Sequence, residues 1–508
     1  MSWVGLDVGT TNSCVAVWDG RVARMLELDD SGNIIMPSVV TIAEGKAHVG
    51  NEALEVGNRH PDDCIKHFKR ALDEKWHPDE DTGYQTCEGV DADGKPNGMM
   101  AYRTLEGHVY SPVDLTSYVI GSLVDAANRR LAPHDSVTGA VICVPADFTQ
   151  GQVRAVEEAA RSSGLDNFQI MKEPTAAALA YGFDAKKARR IAVFDLGGGT
   201  FDISIVQTGG GLVDVIANNG IRDVGGTDFD KRIGDYVINR WKTTRHAEDP
   251  LADETDLKLN DNAMIRIRTE AEAAKKRLTD KDSTEFRVME VAKSRDGVWL
   301  HLIETIDRRT FDELTRDLRE RIANACKAAI ADARRDDPNF SVKDLHDVLL
   351  VGGMSRVPSI RTTAEEFFGK PPKRDESPEQ VVAMGAAIRA AIIEGRKPDI
   401  SIADITSHAI AIETVGNVPA VLVPRGTNYP FEDTFTLSNP DDDQTELSIR
   451  LIQADKPRAL DCSPLWSAEI PLEPGPAQTA RKPLTIRIDA SGRPAAECDG
   501  QSFEGSPA

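Results

Sequence analysis

Two distant stretches of this chain repeat one pattern: an apolar strand ending in aspartate, a tight turn of glycine and threonine, and a second strand leading back. In the first, Val4, Leu6 and Val8 alternate with smaller or polar residues, Gly9-Thr10-Thr11-Asn12 turns the chain, and Val15 and Val17 resume the alternation. In the second, the apolar run from Ile191 to Phe194 meets Asp195-Leu196-Gly197-Gly198-Gly199-Thr200 and continues as Phe201, Ile203 and Ile205. Period-two alternation on both sides of a glycine turn predicts a β-hairpin, with Asp7 or Asp195 at its mouth. An internal repeat at such long separation predicts two related α/β lobes that each offer a hairpin to one shared cleft.

Between and beyond the hairpins, helical signals dominate as far as Gly395. Thr149-Gln150-Gly151-Gln152 has capping-box spacing ahead of an Ala- and Glu-rich stretch that Gly164 ends. Glu173-Pro174 opens another helix, through Tyr181, with proline at the favoured first position. Asp261 to Leu278 reads as a long, charged, exposed helix, and Val348 to Val351 as a buried strand before Gly352-Gly353. After Gly395 the texture changes. Arg396-Lys397-Pro398-Asp399 is a polar break, and alternating pairs such as Leu447/Ile449 and Leu484/Ile486 then predict a small antiparallel β domain. The expected division is an α/β region over 1–395, a linker over 396–404, a β domain over 405–498 and a frayed tail over 499–508. A chain of 508 residues exceeds what one core usually organises.

The charge balance narrows the partners. Lys+Arg 60 against Asp+Glu 82 leaves a net charge of -22, which repels phosphate backbones and anionic membranes, so neither nucleic acid nor a membrane is expected as a partner. Seven cysteines scattered without a C-x-x-C pair argue against a disulfide framework or a zinc cluster. The N-terminus runs straight into a strand and no apolar stretch approaches membrane-spanning length. The expectation is a cytoplasmic protein.

Four glycine turns carry the chemistry: Gly9 with Thr10 and Thr11, Gly197-Gly198-Gly199, Gly225-Gly226 and Gly352-Gly353. Turns without Cβ atoms let backbone N–H groups approach phosphates closely. No G-x-x-x-x-G-K-[ST] string is present, which excludes a P-loop enzyme, and no G-x-G-x-x-G follows the first strand, which disfavours a dinucleotide fold. Asp7 and Asp195 each precede such a turn. Singly, either could cap its own turn; as a pair across one cleft they can hold Mg²⁺ through its waters. Phosphoryl transfer to water then needs mainly positioning and charge neutralisation.

Gly5-Leu6-Asp7-Val8-Gly9-Thr10-Thr11-Asn12-Ser13, Lys172 to Gly182, Phe194 to Asp202 and Val351-Gly352-Gly353-Met354-Ser355-Arg356-Val357-Pro358 resemble the signatures of the heat-shock protein 70 (DnaK-like) family. The resemblance implies an actin-like, two-lobed ATPase followed by a small antiparallel β-sandwich that binds extended apolar peptides. It implies ATP and ADP as ligands, with Mg²⁺ and potassium as candidate ions. Catalysis would fall to Asp7, Lys69, Glu173, Asp195 and Thr200, with Lys66 an alternative to Lys69. Phosphates would rest on Gly9, Thr10, Thr11, Asn12, the triple glycine and Gly225-Gly226. Glu272, Lys275 and Thr279 would reach the ribose and base, and Lys276 and Arg356 would sandwich the adenine. Gly352, Gly353, Ser355 and Glu379 would complete that pocket, Glu379 standing where the family usually has aspartate. From charge pattern alone, Glu272 to Thr279 reads as a solvated helix face. Pro145 matches the family's position for passing nucleotide state to the second domain; locally it is also a strand-ending proline.

The chain departs from the family at four further places. The family's leucine-rich linker is replaced by Ile400-Ser401-Ile402-Ala403-Asp404, which predicts weaker hydrophobic docking and weaker coupling. A relay arginine of the family is replaced in register by Val153, with Arg154 one place along, and the Arg-x-x-Asn implicated in J-domain engagement reads Gln169-Ile170-Met171-Lys172. Val415 and Leu447 align with the peptide cleft, or else are ordinary sandwich core, and no helical lid follows Cys498. The expected function is an ATP-dependent chaperone acting on unfolded segments, with a J-domain co-chaperone and an exchange factor as further partners. The alternative is an ATP-switched partner-binding module with little turnover.

Overall fold

The computed structural model describes residues 2–78, 84–91, 93–133, 135–182, 188–248, 258–260, 262–335, 337–374, 377–397 and 400–504. Asp261 of the expected charged helix, Pro398 and Asp399 of the expected linker and residues 505–508 of the expected tail fall outside these.

Both hairpins form, and each sits at the centre of its own sheet. In the first sheet the strand Ser2–Val8 lies between Val137–Val144, which runs parallel to it, and Asn12–Trp18, which runs antiparallel. In the second, Arg189–Leu196 lies between parallel Asp347–Val351 and antiparallel Phe201–Gly209. The register repeats as well: Leu6 faces Ile142 and Val15, while Phe194 faces Leu350 and Ile203. The repeat read from the sequence is thus a repeat of topology. These strands are almost wholly buried, as strands covered on both faces must be.

Two short helices, Glu173–Gly182 and Val381–Ile393, pack among the inner faces of the two sheets. Their contact residues are small: Ala176, Ala177, Ala178, Ala383, Ala386 and Ala387 are all fully buried. A Cβ built on Gly385 would lie 1.8 Å from the carbonyl oxygen of Ala176, and one on Gly5 would lie 2.2 Å from the backbone nitrogen of Ala387. Backbone touches backbone at both points, so this central layer is only as thick as the chain itself.

The helix expected to be exposed runs over Ala263–Asp280 and is amphipathic. Ala263, Ile267, Ala271, Ala274 and Leu278 form a stripe at three- and four-residue spacing that is buried in the core beneath the second sheet. Its many charges line the other faces of the helix.

Beyond residue 405, two four-stranded antiparallel sheets stack as a sandwich, with Leu447, Ile449 and Leu451 of one facing Leu484, Ile486 and Ile488 of the other. The expected tail is part of it. Gln501–Glu504 pairs with Pro494–Cys498, Cys498 standing opposite Gln501, and so completes the second sheet of the sandwich.

The connecting segment also departs from expectation. Ser401–Ile405 adds a parallel strand to the second sheet, with Val213 opposite Ile402 and Asp214 opposite Ala403, and Ile400 and Ile405 are buried beneath it. Main-chain hydrogen bonds are indifferent to side-chain size, so the loss of leucines does not prevent docking. Polar contacts extend the join: Gln150 N–H donates to Gln453 Oε1 at 2.9 Å, Ser407 donates to the Ala146 carbonyl, Arg222 pairs with Asp455 at 3.4 Å and Arg425 with Asp332 at 3.5 Å. Among the described residues no helix is long and apolar enough to cross a membrane.

Gly385→Ala tests the central layer. Alanine is the better helix former by about 1 kcal/mol, yet its methyl group meets a backbone oxygen that cannot turn away. The expected net result is a loss of about 1–3 kcal/mol, the usual cost of overpacking, read as a lower urea midpoint; an unchanged midpoint would disprove the contact.

Candidate functional site

The two aspartate-tipped turns meet face to face. A Cβ on Gly198 would stand 2.0 Å from Thr11 Oγ1, and one on Gly199 would stand 2.5 Å from Thr10 Oγ1, so only glycine lets the second turn close on the first. Gly352, at φ 80°, passes so near that a Cβ there would lie 2.4 Å from the Leu196 carbonyl and 2.7 Å from Asp195 Oδ1. The turns are held from behind: Ser38 donates to the Gly9 carbonyl at 2.7 Å, and Gly226 N–H donates to the Gly197 carbonyl at 3.0 Å.

Between them opens a cleft of about 780 Å³. Asp7, Gly9, Thr10, Thr11, Asn12 and Lys69 line it from the first lobe, with Pro145 and Glu173 at its floor. Asp195, Gly197, Gly198, Gly199, Thr200 and Gly226 line it from the second, and Glu272, Lys275, Lys276, Thr279, Gly352, Gly353, Arg356 and Glu379 from the outer end. Gly225 and Ser355 stand behind this lining; Gly225 backs onto Gly199, and the fully buried Ser355 hydroxyl has no hydrogen-bond partner among the described residues.

The floor is electrostatically overloaded. Burial pushes the Asp7 carboxyl up to about 7, with the negative charge of Glu173 adding to the rise and Lys69 opposing it. Asp195 is driven well above the usual carboxylate range by burial, then by Glu173 and Asp7. Lys69 Nζ donates to Glu173 Oε1 at 3.0 Å, and both side chains are nearly excluded from solvent. Lys66, the alternative, points elsewhere and bonds Thr269 Oγ1 at 3.2 Å in an exposed position. Geometry therefore places Lys69, not Lys66, among the carboxylates.

At the outer end the charges are paired across the cleft wall. Lys276 pairs with Glu272 at 2.7 Å, and Arg356 holds Glu379 through two hydrogen bonds of 2.6 and 2.8 Å. Lys275, expected to reach the ribose and base, lines the cleft beside Asp230, which pairs with it at 2.8 Å, and donates to the Gly226 carbonyl at 3.0 Å. Burial lifts Asp230 to about 6 against the pull of Lys275.

Sequence reasoning missed four residues. Asp230 lies one turn into the helix that follows Gly225-Gly226, and no local pattern set it apart from the other acids there. Arg70 reaches from the first lobe to Thr227 and Asp228 of the second, bridging the two lobes. Asp147, in the turn after Pro145, and Asp202, on the strand Phe201–Gly209, meet against Gly220; burial raises Asp147 to about 7 even beside Arg222 and drives Asp202 well above the usual carboxylate range. The two peptide-cleft candidates part company. Leu447 is buried in the sandwich core opposite Ile470, while Val415 is 84% exposed on the turn between two strands.

The model of the Hsp70 protein family matches residues 3–496. The chain is also 34% identical over 491 residues to a chaperone protein dnaK of the alga Cyanidioschyzon merolae, an alignment that covers 96% of this chain and 78% of that relative.

Asp230→Ala should leave the Lys275 ammonium buried with the Gly226 carbonyl but without its carboxylate. Breaking such a pair costs about 3–5 kcal/mol, measurable as a fall in the thermal midpoint, and adding Lys275→Met should restore most of it. A single variant as stable as the unaltered chain would show that the pair contributes nothing.

Proposed function

The chain belongs to the Hsp70 family, and we propose from that premise that the cleft between its two aspartate-tipped turns is its ATP-hydrolysing centre. Hsp70 proteins are ATP-dependent molecular chaperones that hydrolyse ATP, and this chain is one of them. Residues 1–395 serve as an actin-like ATPase, 396–404 as the connection, and the sandwich, extended from 498 to 504 by its last strand, as the peptide-binding part. The observation that carries this reading is the closure of Gly198 and Gly199 on Thr11 and Thr10.

The family binds its nucleotide with Mg²⁺, and the residues present fit that ion. Asp7, Glu173 and Asp195 crowd one buried floor with a single ammonium, Lys69, among them, a surplus of negative charge that a divalent cation offsets. Asp7 and Asp195, one from each lobe, would hold that ion through its waters. When bound, that ion supplies charge neutralisation to the phosphates.

This chain's own residues do the rest. Turn amides around Gly9 to Thr11 and Gly197 to Thr200 cradle the phosphates. Glu173 fixes the Lys69 ammonium beside the transferred group and orients water there, with the Thr200 hydroxyl at the rim. Lys276 and Arg356 stack on the adenine, and Glu272 and Thr279 take the ribose. Lys275 acts indirectly, by holding Asp230 and the Gly226 carbonyl. The sandwich takes extended apolar segments by main-chain pairing, with Val415 at the rim of its cleft. The docked strand Ser401–Ile405 supports communication between the two parts, and what separates this reading from an ATP-switched partner-binding module with little turnover is hydrolysis itself. A J-domain co-chaperone and an exchange factor belong to the same proposal, as does a reducing compartment such as the cytoplasm, which the seven buried free thiols favour.

The two lysines separate the reading from its rival. Lys69→Ala should retain ATP binding and lose single-turnover hydrolysis by about 10²–10³-fold, the usual effect of removing one preorganised charge at a transferring group. Lys66→Ala should hydrolyse near the unaltered rate. Equal rates for the two variants would remove Lys69 from the centre.

A further inference from the structure

A second cavity, of about 480 Å³, lies where the helix Gln150–Ser162, the strand Phe168–Lys172, the helix Val381–Ile393, the connecting strand and the sandwich meet. Four cations line it, Arg154, Lys172, Arg389 and Arg493, against two carboxylates, Glu157 and Asp404. Both carboxylates are already engaged: Lys172 pairs with Asp404 at 3.3 Å, and Arg493 pairs with Glu157. Arg389 donates to the neutral amide of Gln169 at 3.0 Å, and Arg154 feels Asp73 and Glu157 at a distance without a hydrogen bond or ion pair among the described residues. Burial lowers both guanidinium groups below their ordinary range. The ring of His408, on the same wall, is pressed down to about 3 by burial and then by Arg222, Arg425 and Lys172. A molecule of net charge -22 thus keeps a cation-rich hollow at the junction of its parts.

Half-buried guanidinium groups without an anion are costly, and a ligand that supplies one recovers that cost. The guanidinium fork matches carboxylate and phosphate oxygens in pairs. The volume is within the range of metabolite-sized sites, and the remaining wall mixes apolar Trp3, Ile393 and Ile402 with neutral polar groups such as Gln150, Thr406 and Gln453.

We propose that this cavity is a binding site for a small polyanion, a tricarboxylate or a phosphorylated compound of metabolite size, gripped by Arg154 and Arg389 and distinct from the nucleotide cleft. Its walls come from the ATPase region and the sandwich alike, so an occupant holds the two together. The inference does not depend on the reading of the cleft given above.

The test uses the full chain with its nucleotide cleft saturated by ADP, titrated calorimetrically at near-physiological ionic strength with tricarballylate and, separately, with inorganic pyrophosphate. Whichever anion binds identifies the source, carboxylate or phosphate. One saturable site is expected, weakened at least tenfold in the Arg154→Gln/Arg389→Gln double variant and unchanged in Arg309→Gln, whose side chain is 89% exposed elsewhere. A second measurement needs no variant: the same anion should protect Arg154 and Arg389 at least fivefold from phenylglyoxal, read by mass spectrometry on the unaltered chain. Absence of saturable binding, equal binding by all three chains, lack of protection, or saturation by a tetra-aspartate peptide but by neither small anion would overturn the proposal.

Discussion

Three carboxylates buried around one ammonium set the terms for everything else in this molecule. Burial first, and then the negative charges of their neighbours, drive Asp7 up to about 7 and Asp195 well above the usual carboxylate range, and Lys69 opposes both rises. Such a cluster survives only where the scaffold forbids its members to separate. Here the scaffold is two sheets, each anchored by a central strand with neighbours on both sides, facing each other across alanine-rich helices. The contact between Gly385 and Ala176 matters for this reason: it keeps the layer thin enough for opposing turns to touch.

The join between the ATPase region and the sandwich follows a different logic. Hydrophobic docking scales with the apolar area buried, and a segment with only Ile400, Ile402 and Ile405 has little to offer. The segment instead becomes a strand, and its main-chain groups find partners on Leu212–Ile221 whatever side chains they carry. Specificity then passes to polar contacts at the margin, Lys172 with Asp404, Arg222 with Asp455 and Arg425 with Asp332. Of these, the largely buried Lys172–Asp404 pair is the costly one to separate, whereas the more exposed pairs are nearly as well served by water.

Hairpins and glycine turns were legible in the sequence because their information is local: alternation, a turn, and an aspartate fixed by position. The same holds for the Thr149 cap, where Gln152 answers as the capping box requires. What was not legible depended on partners remote in sequence. Asp230 acquires meaning only from Lys275, and Arg70 only from Asp228. The strand at Ser401–Ile405 was hidden because edge pairing leaves no trace in side-chain pattern. The helix Ala263–Asp280 was misjudged for another reason: its charges are numerous, yet the stripe from Ala263 to Leu278 was there to be counted. At Leu447, buried in the sandwich core, the plainer of two readings describes the structure.

Pro145 lines both cavities. It follows the strand Val137–Val144, which is hydrogen-bonded to a parallel neighbour on each side and is fully buried over its last six residues, so the strand end cannot bend without shifting its neighbours. On one side of the proline stand the crowded carboxylates of the cleft; on the other, the cations Arg154, Lys172 and Arg389 of the second hollow. In the turn after it Asp147 meets Asp202 against Gly220, with Arg222 reaching toward both Asp147 and the sandwich's Asp455. The two hollows thus share one stiff wall. Coupling through such an element needs no flexible relay, only a strand too well held to absorb the strain locally.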